Sequence, residues 1–148
     1  MIVETAIELA DPGAENFAES ATRELVHELG IGWPSTQFGL RAEGRTVYCD
    51  VRVGRHVFEF DGRVKFRPVE DGGVAETPSQ VLWAQKERHD FITGFKLGVS
   101  RVTYRDLGPG RAQARQRLRR EYDDTVARFG TDLSDLTPYV VERRLPRL

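Results

Sequence analysis

The run from Thr46 to Asp61, TVYCDVRVGRHVFEFD, constrains this chain more than any other stretch, because it reads as a β-hairpin with one apolar and one acidic face. Gly54-Arg55 makes a two-residue turn in which glycine supplies the positive φ that such turns need. With Val53 set opposite His56, Val51 meets Phe58 and Cys49 meets Phe60 on one side, while Asp50 meets Glu59 and Tyr48 meets Asp61 on the other. Directly opposed side chains in an antiparallel ladder have Cβ atoms about 5 Å apart, where like charges repel. A hairpin that sets Asp50 against Glu59 therefore needs something to offset the repulsion. A divalent cation does so, because hard cations are held by converging carboxylate oxygens. The competing reading is a polar face turned to solvent, which antiparallel sheets commonly have.

Composition narrows the setting. A chain of 148 residues with 39% hydrophobic content suits one domain around a single core. Its apolar runs fall far short of the roughly 20 residues that span a bilayer, and MIVETAIELADPG lacks the basic and apolar regions of a signal peptide. The expectation is a soluble, cytoplasmic protein with no membrane partner. The single cysteine, Cys49, excludes a disulfide framework and a cysteine-based zinc site, and reads as a small buried hydrophobe. A net charge of −1 gives no global attraction to nucleic acid, but the charge is unevenly spread. Residues 101–120 carry seven arginines against Asp106 alone. Either these arginines pair with Glu121, Asp123 and Asp124 on a solvated helix face, or they form a phosphate-contacting patch.

Periodicity predicts a helix over about Asn16–Leu29, with Ala18, Ala21, Leu25 and Leu29 on its apolar stripe and Gly30 ending it. A strand over Thr36–Ala42 turns at Glu43-Gly44 into the hairpin, and Gly62–Pro78 reads as a long loop. A second helix over Ser79–Leu97 has Val81, Leu82, Phe91, Phe95 and Leu97 as candidates for its buried side. A strand over Val99–Tyr104 follows, then a helix from Arg111 to about Phe129 and a loosely attached tail beyond Gly130. The order β, β, β, α, β implies a mixed sheet whose last strand returns parallel to an earlier one. Lys86, Arg88 and Asp90 either line a substrate groove or make ordinary surface pairs, and Arg101 and Thr103, on one strand face, extend such a groove. His27, His56 and His89 are too scattered for a ligand cluster and read as surface or edge residues, while Trp33 and Trp83 read as packing residues. The motifs of serine hydrolases and P-loop nucleotide binders do not occur.

The segment VFEFDGRVKF, followed by QVLWAQKERHDFITGFKLGVSRVTYRDL, resembles the very-short-patch-repair-like branch of the PD-(D/E)xK nuclease superfamily. That branch shows a strand ending in Glu-x-Asp-Gly, a helix bearing Lys, Arg and Asp, and a Val-x-Arg-Val-Thr-aromatic strand. AESATRELVHELGI is similar to its first helix, so the resemblance covers about Phe17 to Leu107. It implies an α/β protein with a restriction-endonuclease-like mixed sheet of about four strands flanked by helices, with an extra C-terminal helix and tail. The implied organisation is a lead-in over 1–15, an endonuclease-like domain over 16–107, and a basic helix and tail over 108–148.

The activity implied is Mg²⁺- or Mn²⁺-dependent hydrolysis of nucleic acid, DNA first. Asp50 and Glu59 match the branch's metal-binding acids, and Glu19 matches the first-helix acid that completes the site in many members. Asp61 stands where the wider superfamily has lysine. Aspartate is usual there in this branch, with a basic residue or histidine four positions on, and here that residue is Lys65. The resemblance thus implies a catalytic set of Asp50, Glu59, Asp61 and Lys65, in which Lys65 orients the attacking water or stabilises charge on phosphate. Lys86, Arg88, Arg101, Arg115 and Arg119 are the expected nucleic-acid-binding residues. The alternative is a non-catalytic nucleic-acid- or protein-binding regulatory module of the same fold. Such domains are often found behind a winged-helix region in longer proteins, toxin–antitoxin components among them. No such region precedes the first predicted element, which suggests a short relative or an excised domain; a homodimer or a larger host complex stays open.

Overall fold

The computed structural model describes residues 12–62 and 77–142. Most of the expected long loop, Lys65 included, lies outside the described residues, as do 1–11 and 143–148.

Helix α1 (Pro12–Glu28) starts earlier than its apolar period indicates and buries Ala18 and Leu25 as expected, with Leu29 buried just past its end. Strands β1 (Ser35–Ala42), β2 (Arg45–Val53) and β3 (His56–Phe60) form an antiparallel meander. At its first turn Glu43 and Gly44 take φ of 53° and 76°, the pair of left-handed residues that a tight hairpin turn requires. Helix α2 (Pro78–Thr93) opens with a capping box between Thr77 and Gln80, carries Pro78 in its first turn and is capped by Gly94. Strand β4 (Gly98–Val102) then lies parallel to β3, with Glu59 beside Arg101. A Cβ on Gly98 would sit 1.9 Å from Thr125 Oγ1 and 2.6 Å from His56 Nδ1, so only glycine allows this strand its close approach. Thr103 leaves the strand to cap the single-turn helix α3 (Tyr104–Leu107) with Asp106, and so does not share a strand face with Arg101. Helix α4 (Arg111–Phe129) matches its expected span.

The tail departs from expectation. A 3₁₀ turn (Ser134–Leu136) and strand β5 (Val140–Glu142) dock on the domain, and β5 pairs antiparallel with β1. Arg55, in the hairpin turn, is only 3% exposed and anchors this segment through the Asp132 carbonyl and the Asp135 carboxylate, each 2.6 Å away. Among the described residues the result is an α/β architecture with one five-stranded mixed sheet, ordered β4-β3-β2-β1-β5.

Helices cover both faces of the sheet. One face packs α1, α3 and α4 on Val51, Val53, Phe58 and Val102; the other packs α2 and the 3₁₀ turn on Val47, Cys49, Val57 and Leu40. Strict alternation would put Cys49 and Val51 on the same side. They fall in different clusters, and between them the ladder to β1 is interrupted without a change of register. Thr36 pairs with Val51 and Phe38 with Cys49, but Gln37, at φ 58°, and Asp50 form no bridging pair. Phe60, expected opposite Cys49, packs on the α1 side instead.

Burial corrects three further expectations. Of α2 only Ile92 is buried, and Leu82 and Trp83 are exposed. Val81, Leu82 and Trp83 are consecutive, about 100° apart around the axis, and cannot all face one sheet. Trp33 is exposed as well, whereas His56 is buried. No helix among the described residues is long and apolar enough to cross a membrane.

Candidate active site at a splayed hairpin

The β2–β3 ladder holds its expected register from Val53–His56 to Val51–Phe58 and stops there. Beyond it, side chains replace the backbone partners. The Asp50 N–H donates to Glu59 Oε2 at 3.0 Å, and the Phe60 N–H donates to Asp50 Oδ2 at 2.9 Å. The strands thereby part at the two carboxylates that a regular ladder would set against each other. Each acid is oriented by an amide of the other's neighbourhood, which ties both to rigid backbone.

Arg88 closes the arrangement from α2. Its Nη2 and Nε both donate to Glu59 Oε1, Nε at 3.1 Å, and Nη2 also reaches the Tyr48 carbonyl at 2.7 Å. On the far side, Arg101 Nη1 lies 3.6 Å from Asp61 Oδ2. Asp50, Glu59, Asp61, Arg88 and Arg101, with Gln85 and His89, line a cleft of about 320 Å³. Burial and the adjacent Asp50 carboxylate push Glu59 up to about 7, against the opposing pull of Arg88. Burial, with Glu59 nearby, pushes the Cys49 thiol up to about 12, consistent with an inert, buried side chain.

The structure therefore brings together Asp50, Glu59, Asp61, Arg88 and Arg101. The other described candidates lie elsewhere. Glu19, on α1, is partly buried and does not line the cleft. Lys86 is exposed, 3.9 Å from Asp90 and near the Trp83 ring. Arg115 and Arg119 project from α4, which packs on the face opposite α2, and they pair with Glu28 and Asp123. Lys65 lies outside the described residues.

Sequence reasoning left Arg88 undecided between groove and surface and did not see its hold on Glu59. A signal was present. Gln85, Arg88 and Ile92 recur at helical spacing, and Ile92 is the residue α2 buries, so Arg88 shares the sheet-facing side.

Among the described residues no three His, Cys, Asp or Glu side chains gather as a metal-holding group, so the set of Asp50, Glu59 and Glu19 is not assembled. The pair Asp50 and Glu59 still fits Mg²⁺, which is commonly held by one or two carboxylates while water and phosphate oxygens fill its other positions. Compared with known proteins, the chain matches no family model, no curated protein and no solved structure.

Proposed function

We propose that this chain is a metal-dependent nuclease with a restriction-endonuclease-like fold, hydrolysing phosphodiester bonds of nucleic acid, DNA first. One observation carries the reading: two adjacent carboxylates, Asp50 and Glu59, sit at a break in the sheet inside a cleft that also offers Arg88 and Arg101. Acids for a hard cation and arginines for a phosphate are what phosphodiester hydrolysis needs side by side. The order α, β, β, β, α, β with β4 parallel to β3 supports the fold assignment, and the sequence resemblance supplies its name.

In this reading Asp50 and Glu59 hold Mg²⁺ or Mn²⁺. An ion held there would lower the pKa of a bound water and neutralise charge on the phosphoryl oxygens. Asp50 and Glu59 are held for this by their bonds to backbone amides, so little reorganisation is required when the site is used. Arg101 stands on the same sheet face as Glu59 and is placed to take a non-bridging phosphate oxygen. Asp61, beside Arg101, orients that guanidinium. Lys65 keeps the assisting role that the resemblance gives it.

Incubating plasmid and linear DNA with the protein in Mg²⁺ or Mn²⁺, beside Asp50→Ala and Glu59→Ala, tests the proposal. Removing either acid is expected to cut the cleavage rate at least about 100-fold. Equal rates in all three proteins would overturn it. Arg88, already set against Glu59, favours a second reading as a non-catalytic nucleic-acid- or protein-binding module. A calorimetric titration in which Mn²⁺ does not bind selects that one.

A further inference from the structure

Arg88 occupies an unusual position for a residue expected to greet substrate. Its guanidinium is bonded to the carboxylate that is to hold a cation, and it is fixed there by a second acceptor, the Tyr48 carbonyl. That carbonyl lies on β2 beyond the last pair of its ladder to β3. One cation thus serves both the Glu59 carboxylate and the Tyr48 carbonyl.

The contacts of the pair differ in how readily they can be given up. Glu59 Oε2 and Asp50 Oδ2 are bound by backbone N–H groups, which cannot leave without unfolding the hairpin. Glu59 Oε1 is bound by a side chain that is 38% exposed and stands on the far end of a long, rotatable stem. Arg88 can therefore withdraw into the cleft, where solvent or an anion satisfies it, while the two acids stay in place. Lys86, which neighbours it in sequence, cannot substitute, because it points to solvent beside Asp90 and Trp83. Arg101 is engaged with Asp61.

We propose that Arg88 is a built-in counter-cation: it holds the Asp50–Glu59 pair together when no divalent ion is bound, and it competes with that ion for Glu59. This rests on the nuclease reading of the site but adds a property the reading does not contain. An exogenous cation must displace a tethered one, so affinity for the ion is set partly by the arginine. The displaced guanidinium is then left in the same cleft as the scissile phosphate, with no acid of its own. Substrate thereby favours ion binding, because a phosphate gives Arg88 an alternative partner. The two ligands are expected to bind cooperatively through one side chain.

Mn²⁺ binding, followed by the electron paramagnetic resonance signal of the free ion, tests this on the whole chain without any turnover. Arg88→Ala and Arg88→Gln are compared with the unaltered protein and with Asp50→Ala; the glutamine keeps a donor for Glu59 and removes the charge. Both Arg88 variants are expected to bind Mn²⁺ at least about tenfold more tightly than the unaltered protein. Asp50→Ala is expected to abolish that binding. In chelator, Arg88→Ala is expected to melt at a lower temperature than the unaltered protein, and Mn²⁺ to raise its melting temperature by the larger increment. Asp50-dependent binding that is unchanged or weaker in both Arg88 variants would overturn the competition while leaving the nuclease reading intact. If no protein shows Asp50-dependent binding, the metal site fails and the competition fails with it.

Discussion

Arg55 illustrates how one side chain can fix an element that has little packing of its own. It is nearly fully buried, yet its guanidinium donates to the carbonyls of Phe95, Lys96 and Asp132 and to the Asp135 carboxylate. Five N–H donors in a rigid fork suit this better than any other side chain. Arg55→Ala leaves those carbonyls without their donor and is expected to destabilise the protein by about 3 kcal/mol. It is also expected to expose the segment after Gly130 to limited proteolysis. Asp135→Asn removes one exposed acceptor and is expected to do far less, since the carbonyl contacts survive. Urea denaturation and timed proteolysis of the two variants check both statements. If Arg55→Ala leaves cleavage after Gly130 unchanged, the anchor is elsewhere.

At the scale of elements, helix α4 engages most of its arginines in contacts within the chain. Arg117 bonds Asp106 and Glu121, Arg119 bonds Asp123 and the Leu29 carbonyl, Arg111 and Arg115 meet Glu28, and Arg128 meets Asp124. The helix spends its charge fastening α1 and α3, and Arg111 holds the Glu28 carboxyl below the usual range. DNA binding measured in Ca²⁺ over a salt series separates this from a phosphate patch. Arg101→Gln is expected to lower the slope of log K against log salt by about 1, whereas Arg115→Gln with Arg119→Gln leaves it unchanged. The reverse result would move the nucleic-acid surface to α4.

How far these elements could be read in the sequence follows from what each depends on. The hairpin register was legible at Val53–His56 and Val51–Phe58 because a turn glycine and alternating side chains specify it locally. Its break at Asp50 was not, because the left-handed Gln37 on the neighbouring strand carries no composition signal. The docking of Ser134–Leu136 was hidden for a similar reason. It depends on Leu136 and on an arginine that occupies a turn, where charged residues ordinarily face water. The acidic pair itself was visible as a problem of like charges, but Arg88, its observed partner, lies 29 residues beyond Glu59 and only tertiary structure joins them.

Seen across the whole molecule, the two sheet faces bury opposite kinds of titrating group, and their effects on stability oppose each other. On the α4 side His56 is enclosed by the Thr125 hydroxyl at Nδ1 and the Ser100 hydroxyl at Nε2, 2.7 and 2.6 Å away. Both hydroxyls also reach Glu121, Ser100 donating to its carboxylate at 2.8 Å and Thr125 to its main-chain carbonyl at 3.3 Å. Burial pushes His56 down to about 4 from an ordinary value of 6.5. Between those values the unfolded chain carries a proton that the folded chain lacks, so stability rises with pH there. On the α2 side Glu59 is raised from 4.5 to about 7, so over that range the folded chain carries the extra proton and stability falls with pH. Each slope is at most about 1.4 kcal/mol per pH unit, and between pH 4.5 and 6.5 they oppose each other. Glu28, Asp132 and Asp135, held low by Arg111, Ser134 and Arg55, lose their contribution only in more acidic solution. In chelator, the unaltered protein is therefore expected to unfold at similar urea concentrations at pH 5.0 and 6.5. Glu59→Gln removes one slope and leaves the other, and is expected to gain about 2 kcal/mol on going from pH 5.0 to 6.5. A flat response in Glu59→Gln would mean that His56 is not held neutral by its enclosure. A matching gain in the unaltered protein would mean that Glu59 is ionised throughout, with Arg88 outweighing both burial and Asp50.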